Sequence, residues 1–269
     1  MIVVVDGIRY HLEVSGEGFP LVLLHGFTGD SSTWRPFFDK WGSHSRLIVP
    51  DIIGHGNTES PEGLKHYQIE SMAKSLNNIL DKIGVHQVDL LGYSMGGRLA
   101  LTFALLFPNR VRKLILESSS PGLKTESERE LRRMNDAKLA KFIVDKGLKS
   151  FVDYWEGISL FQTMRRLPAA VQGKIREQRL MNSSQGLANS LLGMGTGSQP
   201  SWWEELVQVS CDVLLLTGGL DLKFCQIAKA MSAKLKKAKW IVVENSGHAI
   251  HVEVPEKFGT IVSDFLSNQ

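Results

Sequence analysis

A serine, an aspartate and a histidine, each set directly after an apolar run, are the residues of this 269-residue chain best suited to nucleophile or proton-transfer chemistry. Gly92-Tyr93-Ser94-Met95-Gly96 follows Val88-Asp89-Leu90-Leu91 and opens a helical pattern over 97–104. This is the strand–turn–helix setting of a G-x-S-x-G nucleophile elbow. Glycine at 92 and 96 removes Cβ atoms that would crowd so tight a turn and leaves the Ser94 hydroxyl pointing out over a sheet. Asp221 comes after the strand-like residues 213–218, and His248 after 240–243 in the turn Asn245-Ser246-Gly247-His248. The order Ser, Asp, His is that of a triad in which the aspartate orients the imidazole and the imidazole takes the serine proton. His251 is a weaker candidate for the base, because the Ser-Gly turn precedes His248 instead.

Two further features belong to this chemistry. His25-Gly26-Phe27-Thr28-Gly29 follows the apolar run 21–24, and its glycines let the Phe27 N–H approach the same point as the Met95 N–H behind the nucleophile. Paired backbone donors of this kind form an oxyanion hole. The His25 imidazole reads as a hydrogen-bonded turn residue, and His55, between Gly54 and Gly56, as a satisfied loop histidine. Arg98 lies four positions after Ser94, which puts both on one face of the elbow helix. A cation there needs a partner. One reading pairs it with Asp51 or Glu117; the other makes it a clamp for an anionic substrate, since the guanidinium fork matches a carboxylate.

The elements that must position these residues alternate strand and helix. Residues 3–5 and 8–14 flank Asp6-Gly7, a type I′ hairpin signal. Strands are expected at 21–24, 47–49, 88–91, 111–116, 213–217 and 240–243, and helices at 31–41, 67–83, 95–107, 224–235 and 256–266. That rhythm predicts a mostly parallel, doubly wound α/β sheet. Residues 121–205 break it, reading as several helices without a strand. The expected organisation is therefore a core of 1–120 and 206–269 with a helical cap, 121–205, inserted over the site.

Composition excludes other classes. With 43% hydrophobic and 22% charged residues the chain fits a globular enzyme. A net charge of +3 is too small for a nucleic-acid binder, and the whole excess lies in the cap segment. No apolar run approaches a membrane span, and Met1-Ile2-Val3-Val4-Val5 is broken by Asp6-Gly7, so a strand and not a signal peptide is expected. Cys211 and Cys225 lack metal spacing and read as reduced thiols of a cytoplasmic protein. Neither a Walker A loop nor a G-x-G-x-x-G fingerprint is present, so no cofactor or metal is expected.

Longer stretches carry a resemblance. Leu23 to Asp30 with Trp34, Asp51-Ile52-Ile53-Gly54-His55-Gly56 and Gly92 to Arg98 resemble the α/β-hydrolase relatives of menaquinone biosynthesis, the 2-succinyl-6-hydroxy-2,4-cyclohexadiene-1-carboxylate synthases. Ser120-Pro121-Gly122-Leu123, Glu128 to Arg133 with Asp136, Tyr154-Trp155, and Arg179 ahead of Asn182 to Ala188 and Gly193 to Gly197 extend it through the cap. The resemblance implies an α/β-hydrolase fold and a triad of Ser94, Asp221 and His248. It also implies that Arg98, Arg132 and Arg179 bind carboxylates of a small polycarboxylate substrate, and that Tyr93 and Trp155 line the pocket, with Tyr154 able to take the inward place instead. The implied reaction is elimination of pyruvate. A carboxyl-ester or carbon–carbon bond hydrolase on the same scaffold is the alternative, with a non-catalytic receptor behind it, and the two readings divide on whether the three arginines face one pocket.

Overall fold

The computed structural model describes residues 1–267; Asn268 and Gln269, at the end of the expected core segment 206–269, lie outside the described residues. Eight strands form one sheet: β1 (Ile2–Val5), β2 (Ile8–Ser15), β3 (Phe19–Leu24), β4 (Ser45–Pro50), β5 (Val88–Tyr93), β6 (Val111–Glu117), β7 (Asp212–Gly218) and β8 (Ala238–Val243). Their spatial order is β1-β2-β4-β3-β5-β6-β7-β8. The first hairpin and the β2–β4 pair are antiparallel and every later pair is parallel. Asp6 and Gly7 join β1 to β2 with φ of 50° and 80°, the two positive angles that a type I′ turn requires.

Helices fill the crossovers: α1 (Phe38–Gly42), α2 (Ile69–Lys82) and α3 (Met95–Leu106) before β6, then α7 (Leu222–Ser232), α8 (Ile250–Glu253) and α9 (Pro255–Ser267) after β7. The helix expected at 31–41 is mostly a 3-10 segment, Ser31–Phe37, followed by the short α1. Pro36 lies inside that segment and cannot donate a backbone hydrogen bond, which explains the difference. Between β6 and β7 the chain is helical, with α4 (Glu126–Gly157), α5 (Ala169–Leu180), α6 (Ser184–Met194) and 3-10 segments at Ser159–Arg166 and Glu205–Gln208. Among the described residues this stretch contains no strand. Thr125 caps α4 through a capping box with Glu128, and Gly147 breaks its course at φ 78°.

The core sits on both faces of the sheet. Strands β3 and β5 are buried along almost their whole length, so they read as apolar runs and not as alternating patterns. On one face α2 and α3 pack over Val22, Leu90 and Leu114; on the other, Trp34, Phe37, Trp41 and Phe258 pack over Leu21, Leu23 and Leu91. A third apolar cluster, centred on Ile143, Phe151 and Leu187, joins α4 to α6. Because the central strands run parallel, their C-terminal ends meet at one edge, and the loops leaving β3, β5, β7 and β8 converge there.

Candidate active site

The sharpest of those loops is a single residue. Ser94 links β5 to α3 at φ 51° and ψ −105°, a conformation that costs energy for any L-residue. A Cβ at Gly92 would sit 2.3 Å from the Gly96 carbonyl oxygen, and one at Gly96 would sit 2.4 Å from that of Leu24. Only glycine fits at either place. The turn is held by the Ser94 N–H donating to Glu117 O (2.8 Å) and by the Ser119 hydroxyl donating to Ser94 O (3.2 Å).

Above it the imidazole of His248 bridges two partners. Its Nε2 lies 3.0 Å from Ser94 Oγ and its Nδ1 lies 2.7 Å from Asp221 Oδ2. Asp221 caps α7, accepting from the Phe224 N–H with its other oxygen at 3.3 Å. A carboxylate fixed in this way holds the proton on Nδ1 and leaves Nε2 free to accept from the serine. Histidine and aspartate are both buried. The rings of Phe224 (4.6 Å) and Tyr93 (5.4 Å) pack on the imidazole and fix its plane. His251 belongs elsewhere: its Nδ1 faces Glu117 Oε1 at 2.9 Å, and its ring lies between Trp34 and Tyr93.

Ser94 and His248 open into a cavity of about 150 Å³, which Phe27, Met95, Tyr93, Trp155, Arg98 and Arg132 also line. The Met95 N–H is the first of α3, at the positive end of the helix, where a nearby negative charge is favoured, and Phe27 lines the same cavity. Burial pushes the Tyr93 phenol well above its ordinary pKa, so it is a neutral wall.

Arg98 is paired with neither Asp51 nor Glu117. Asp51 already accepts from the N–H groups of Ser31 (2.6 Å) and Asn57 (2.8 Å) and faces His11, while Glu117 holds His251. The Arg98 guanidinium instead donates to the Met194 carbonyl (2.6 Å) and to the Gln199 side-chain oxygen. Both acceptors are neutral. Burial, together with the charge of Arg132, pushes the pKa of Arg98 down to about 9, the direction expected of a cation lacking a counter-ion. Arg132 makes an ion pair with Asp136 (Nε to Oδ1, 2.8 Å), and the second oxygen of that buried carboxylate has no partner among the described residues. Of the two guanidinium groups, Arg132 therefore holds the carboxylate of Asp136, which acts on Arg98 only through space.

Arg179 is not brought into this cavity. It is buried on α5, 3.4 Å from Glu156 Oε1, with its guanidinium carbon 5.2 Å from the centre of the Phe161 ring. Phe161 lines both the triad cavity and the neighbouring pocket that holds Arg179, so its ring lies between them. Trp155 takes the inward place, edge-on to Phe27 (5.4 Å) and Phe161 (5.7 Å), while Tyr154 is 53% exposed against Phe142. The Trp155 indole N–H is buried without a partner among the described residues.

His25 is the turn residue expected, facing Gly26 O and accepting from the Ile52 N–H. His55 differs from expectation: Nδ1 faces Ile53 O, but Nε2 is buried and has no partner among the described residues, so the residue is only half satisfied. Gln199, Ser118 and Lys223 carry no motif or spacing in the sequence that marks them. Gln199 orients Arg98 from a hundred residues away; Ser118 and Lys223 line the cavity. Ser118 carries a positive φ of 46° and a buried hydroxyl with no partner among the described residues.

A strand-end serine triad under a helical segment, on a mostly parallel eight-stranded sheet, defines the α/β-hydrolase class, and a model of the alpha/beta hydrolase fold matches residues 20–255. The chain belongs to that family. Within it the chain is 46% identical, over 99% of its length and 98% of the relative's, to a Bacillus subtilis (strain 168) protein provisionally named 2-succinyl-6-hydroxy-2,4-cyclohexadiene-1-carboxylate synthase. The structure of MenH from S. aureus superposes with a TM-score of 0.91 at 37% identity, covering 96% of this chain and 97% of that one. A 2-hydroxy-6-oxo-2,4-heptadienoate hydrolase of Pseudomonas putida is 30% identical over 98% of this chain and 95% of its own. No helix among the described residues is long and apolar enough to cross a membrane.

Proposed function

We propose that this chain is a cytoplasmic carbon–oxygen lyase of menaquinone biosynthesis. It removes pyruvate from 2-succinyl-5-enolpyruvyl-6-hydroxy-3-cyclohexene-1-carboxylate and leaves 2-succinyl-6-hydroxy-2,4-cyclohexadiene-1-carboxylate. One observation carries the reading: Arg98, enclosed within a turn of Ser94, has only neutral acceptors, and the nearby Arg132 has the one carboxylate. A site of that charge suits a substrate that brings its own carboxylates. An ester hydrolase has no use for such a cost.

The chemistry follows from the two ring patterns. Converting a 3-ene into a 2,4-diene with loss of the C5 substituent requires that the proton on C2 leave, the C3–C4 double bond shift, and the C5–O bond break. His248, oriented by Asp221, accepts the Ser94 proton, and the Ser94 oxygen takes the proton from C2 with no acyl-enzyme. Because C2 carries the succinyl carbonyl, negative charge develops on that oxygen, where the Phe27 and Met95 N–H groups stabilise it. Enolpyruvate departs and takes up a proton as pyruvate. Arg98 and Arg132 hold carboxylates on the side of C1 and C2, and Trp155 and Tyr93 close the walls. Arg179, in this reading, reaches substrate only if Phe161 turns aside and Glu156 releases it.

The carbon–carbon hydrolase reading has the Pseudomonas putida relative in its favour. Stoichiometric pyruvate release from the enolpyruvyl substrate, with Ser94 unmodified by mass spectrometry during turnover, is the expected result. An acyl adduct on Ser94, or cleavage of a vinylogous diketone without pyruvate release, would favour the hydrolase.

A further inference from the structure

We propose that the Ser118 hydroxyl is a further substrate-binding group, paired with the hydroxyl on C6 of the ring; this rests on the lyase reading above. Ser118 follows β6 directly and lines the cavity that holds Ser94 and Arg98. It is fully buried, and its hydroxyl has no partner among the described residues. The two serines after it are engaged: the Ser119 hydroxyl donates to Ser94 O (3.2 Å), and that of Ser120 accepts from the Gly122 N–H (3.4 Å). Ser118 also sits at φ 46°, where a Cβ is disfavoured and glycine is the ordinary choice. A serine at this place therefore costs the free enzyme twice, in backbone strain and in an unmet buried hydroxyl, and its side chain gives the fold no hydrogen bond.

What the hydroxyl lacks points to its ligand. An unpaired hydroxyl can both donate and accept, and another hydroxyl answers both. The Trp155 indole, also without a partner among the described residues, only donates and so suits a carboxylate or a carbonyl. Of the polar groups on the substrate, the carboxylates match the arginines, and the succinyl carbonyl matches the Phe27 and Met95 N–H groups. That leaves the C5 ether oxygen, which only accepts, and the C6 hydroxyl. C6 is bonded to C1, so its hydroxyl hangs beside a carboxylate held by the arginines and two ring bonds from C2, where Ser94 acts. The loop 118–122 runs between the elbow and the partner of Arg98. At one end the Ser94 N–H donates to Glu117 O (2.8 Å); at the other a Cβ at Gly122 would lie 2.7 Å from Gln199 Nε2, and the Gln199 side-chain oxygen accepts from Arg98.

Inhibition by two ligands tests the assignment, with full-length wild type, Ser118→Ala and Ser118→Gly; the glycine variant removes the same hydroxyl and relieves the strained φ. The ring product keeps the C6 hydroxyl. 2-Succinylbenzoate, which that product becomes on losing water, keeps both carboxylates and the carbonyl without it. Each variant is expected to raise the substrate KM and the inhibition constant of the ring product about 5- to 50-fold, the loss for leaving a buried polar group unpaired. Inhibition by 2-succinylbenzoate and kcat should stay within about threefold, since the hydroxyl acts on binding and not on the reacting bonds. The thermal midpoint of Ser118→Ala should not fall, because the change removes no hydrogen bond of the free enzyme. A lowered midpoint, or equal weakening of the two inhibitors, would show a structural hydroxyl and overturn the assignment. Unchanged inhibition by the ring product overturns it too, and if kcat falls instead, the hydroxyl acts on the leaving C5 oxygen. A wild type that releases no pyruvate overturns the lyase reading, and this assignment with it.

Discussion

At the scale of single residues, what distinguishes this site is a difference between two kinds of charge. The triad is internally satisfied: each heavy atom of the Ser94–His248–Asp221 chain has its partner at 2.7–3.3 Å. Arg98 is satisfied only by neutral oxygens. Ser94→Ala should therefore lower kcat by at least about 10³ without destabilising the fold, because alanine keeps the backbone and loses only the acting hydroxyl. Steady-state pyruvate release with a thermal melt checks both halves; near wild-type turnover by folded protein would remove Ser94 from the mechanism. The triad positions were legible in sequence because each follows an apolar run and the elbow has its own glycine spacing. The partners of Arg98 were not, since Asp51 and Glu117, the carboxylates that the sequence offers it, are occupied by His11 and His251. Only the tertiary structure shows which carboxylates are spoken for.

Among the elements, α6 packs closely on the loop that follows β4 and on Tyr67 ahead of α2. A Cβ at Gly186 would lie 2.3 Å from Gly54 O, and one at Gly193 would lie 2.4 Å from the Tyr67 Cβ. Ser190, Leu191 and Met194 of the same helix line the cavity, so lifting α6 deforms it. Gly186→Ala should cost about 1–3 kcal/mol of stability, as over-packing does, and raise KM. Gly173→Ala, in α5 where an added Cβ meets nothing within 4 Å, should instead stabilise by up to about 1 kcal/mol. Paired denaturation curves measure the contrast, and equal shifts would argue against α6 as a fixed strut. Strands and crossover helices are readable from apolar runs, although 31–41 reads as one helix while Pro36 inside it holds most of that stretch in a 3-10 segment. Which of Tyr154 and Trp155 faces inward was not readable: adjacent residues on a helix differ by about 100°, and the phase depends on how α4 seats on Phe27 and Phe161.

For the whole molecule, the loop edge that gathers the site also buries two histidines whose rings lie 5.2 Å apart. Burial pushes His55 down to about 3 from 6.5, and His25 is lowered for the same reason. The unfolded chain binds protons below pH 6.5 that the folded chain refuses, so stability is full above that pH and declines as pH falls toward 3. His55 alone accounts for at most about 5 kcal/mol of that decline, the limit reached only below its folded pKa. His55→Gln should flatten stability against pH in urea titrations between pH 6.5 and 4; an unchanged slope would mean that His55 is not the group refusing the proton.

The account as a whole depends on Arg98 meeting a substrate carboxylate in a desolvated site. The direct measurement is kcat/KM for pyruvate release from the enolpyruvyl substrate, set beside hydrolysis of a neutral aryl ester, for wild type, Arg98→Ala and Arg98→Lys. Loss of a buried charged partner costs about 2–5 kcal/mol. The elimination should therefore fall about 30- to several-thousand-fold in Arg98→Ala, recover only in part in Arg98→Lys, and leave any ester hydrolysis nearly unchanged. Robust ester turnover with no pyruvate release by the wild type, or equal loss of both activities on removing Arg98, would contradict it.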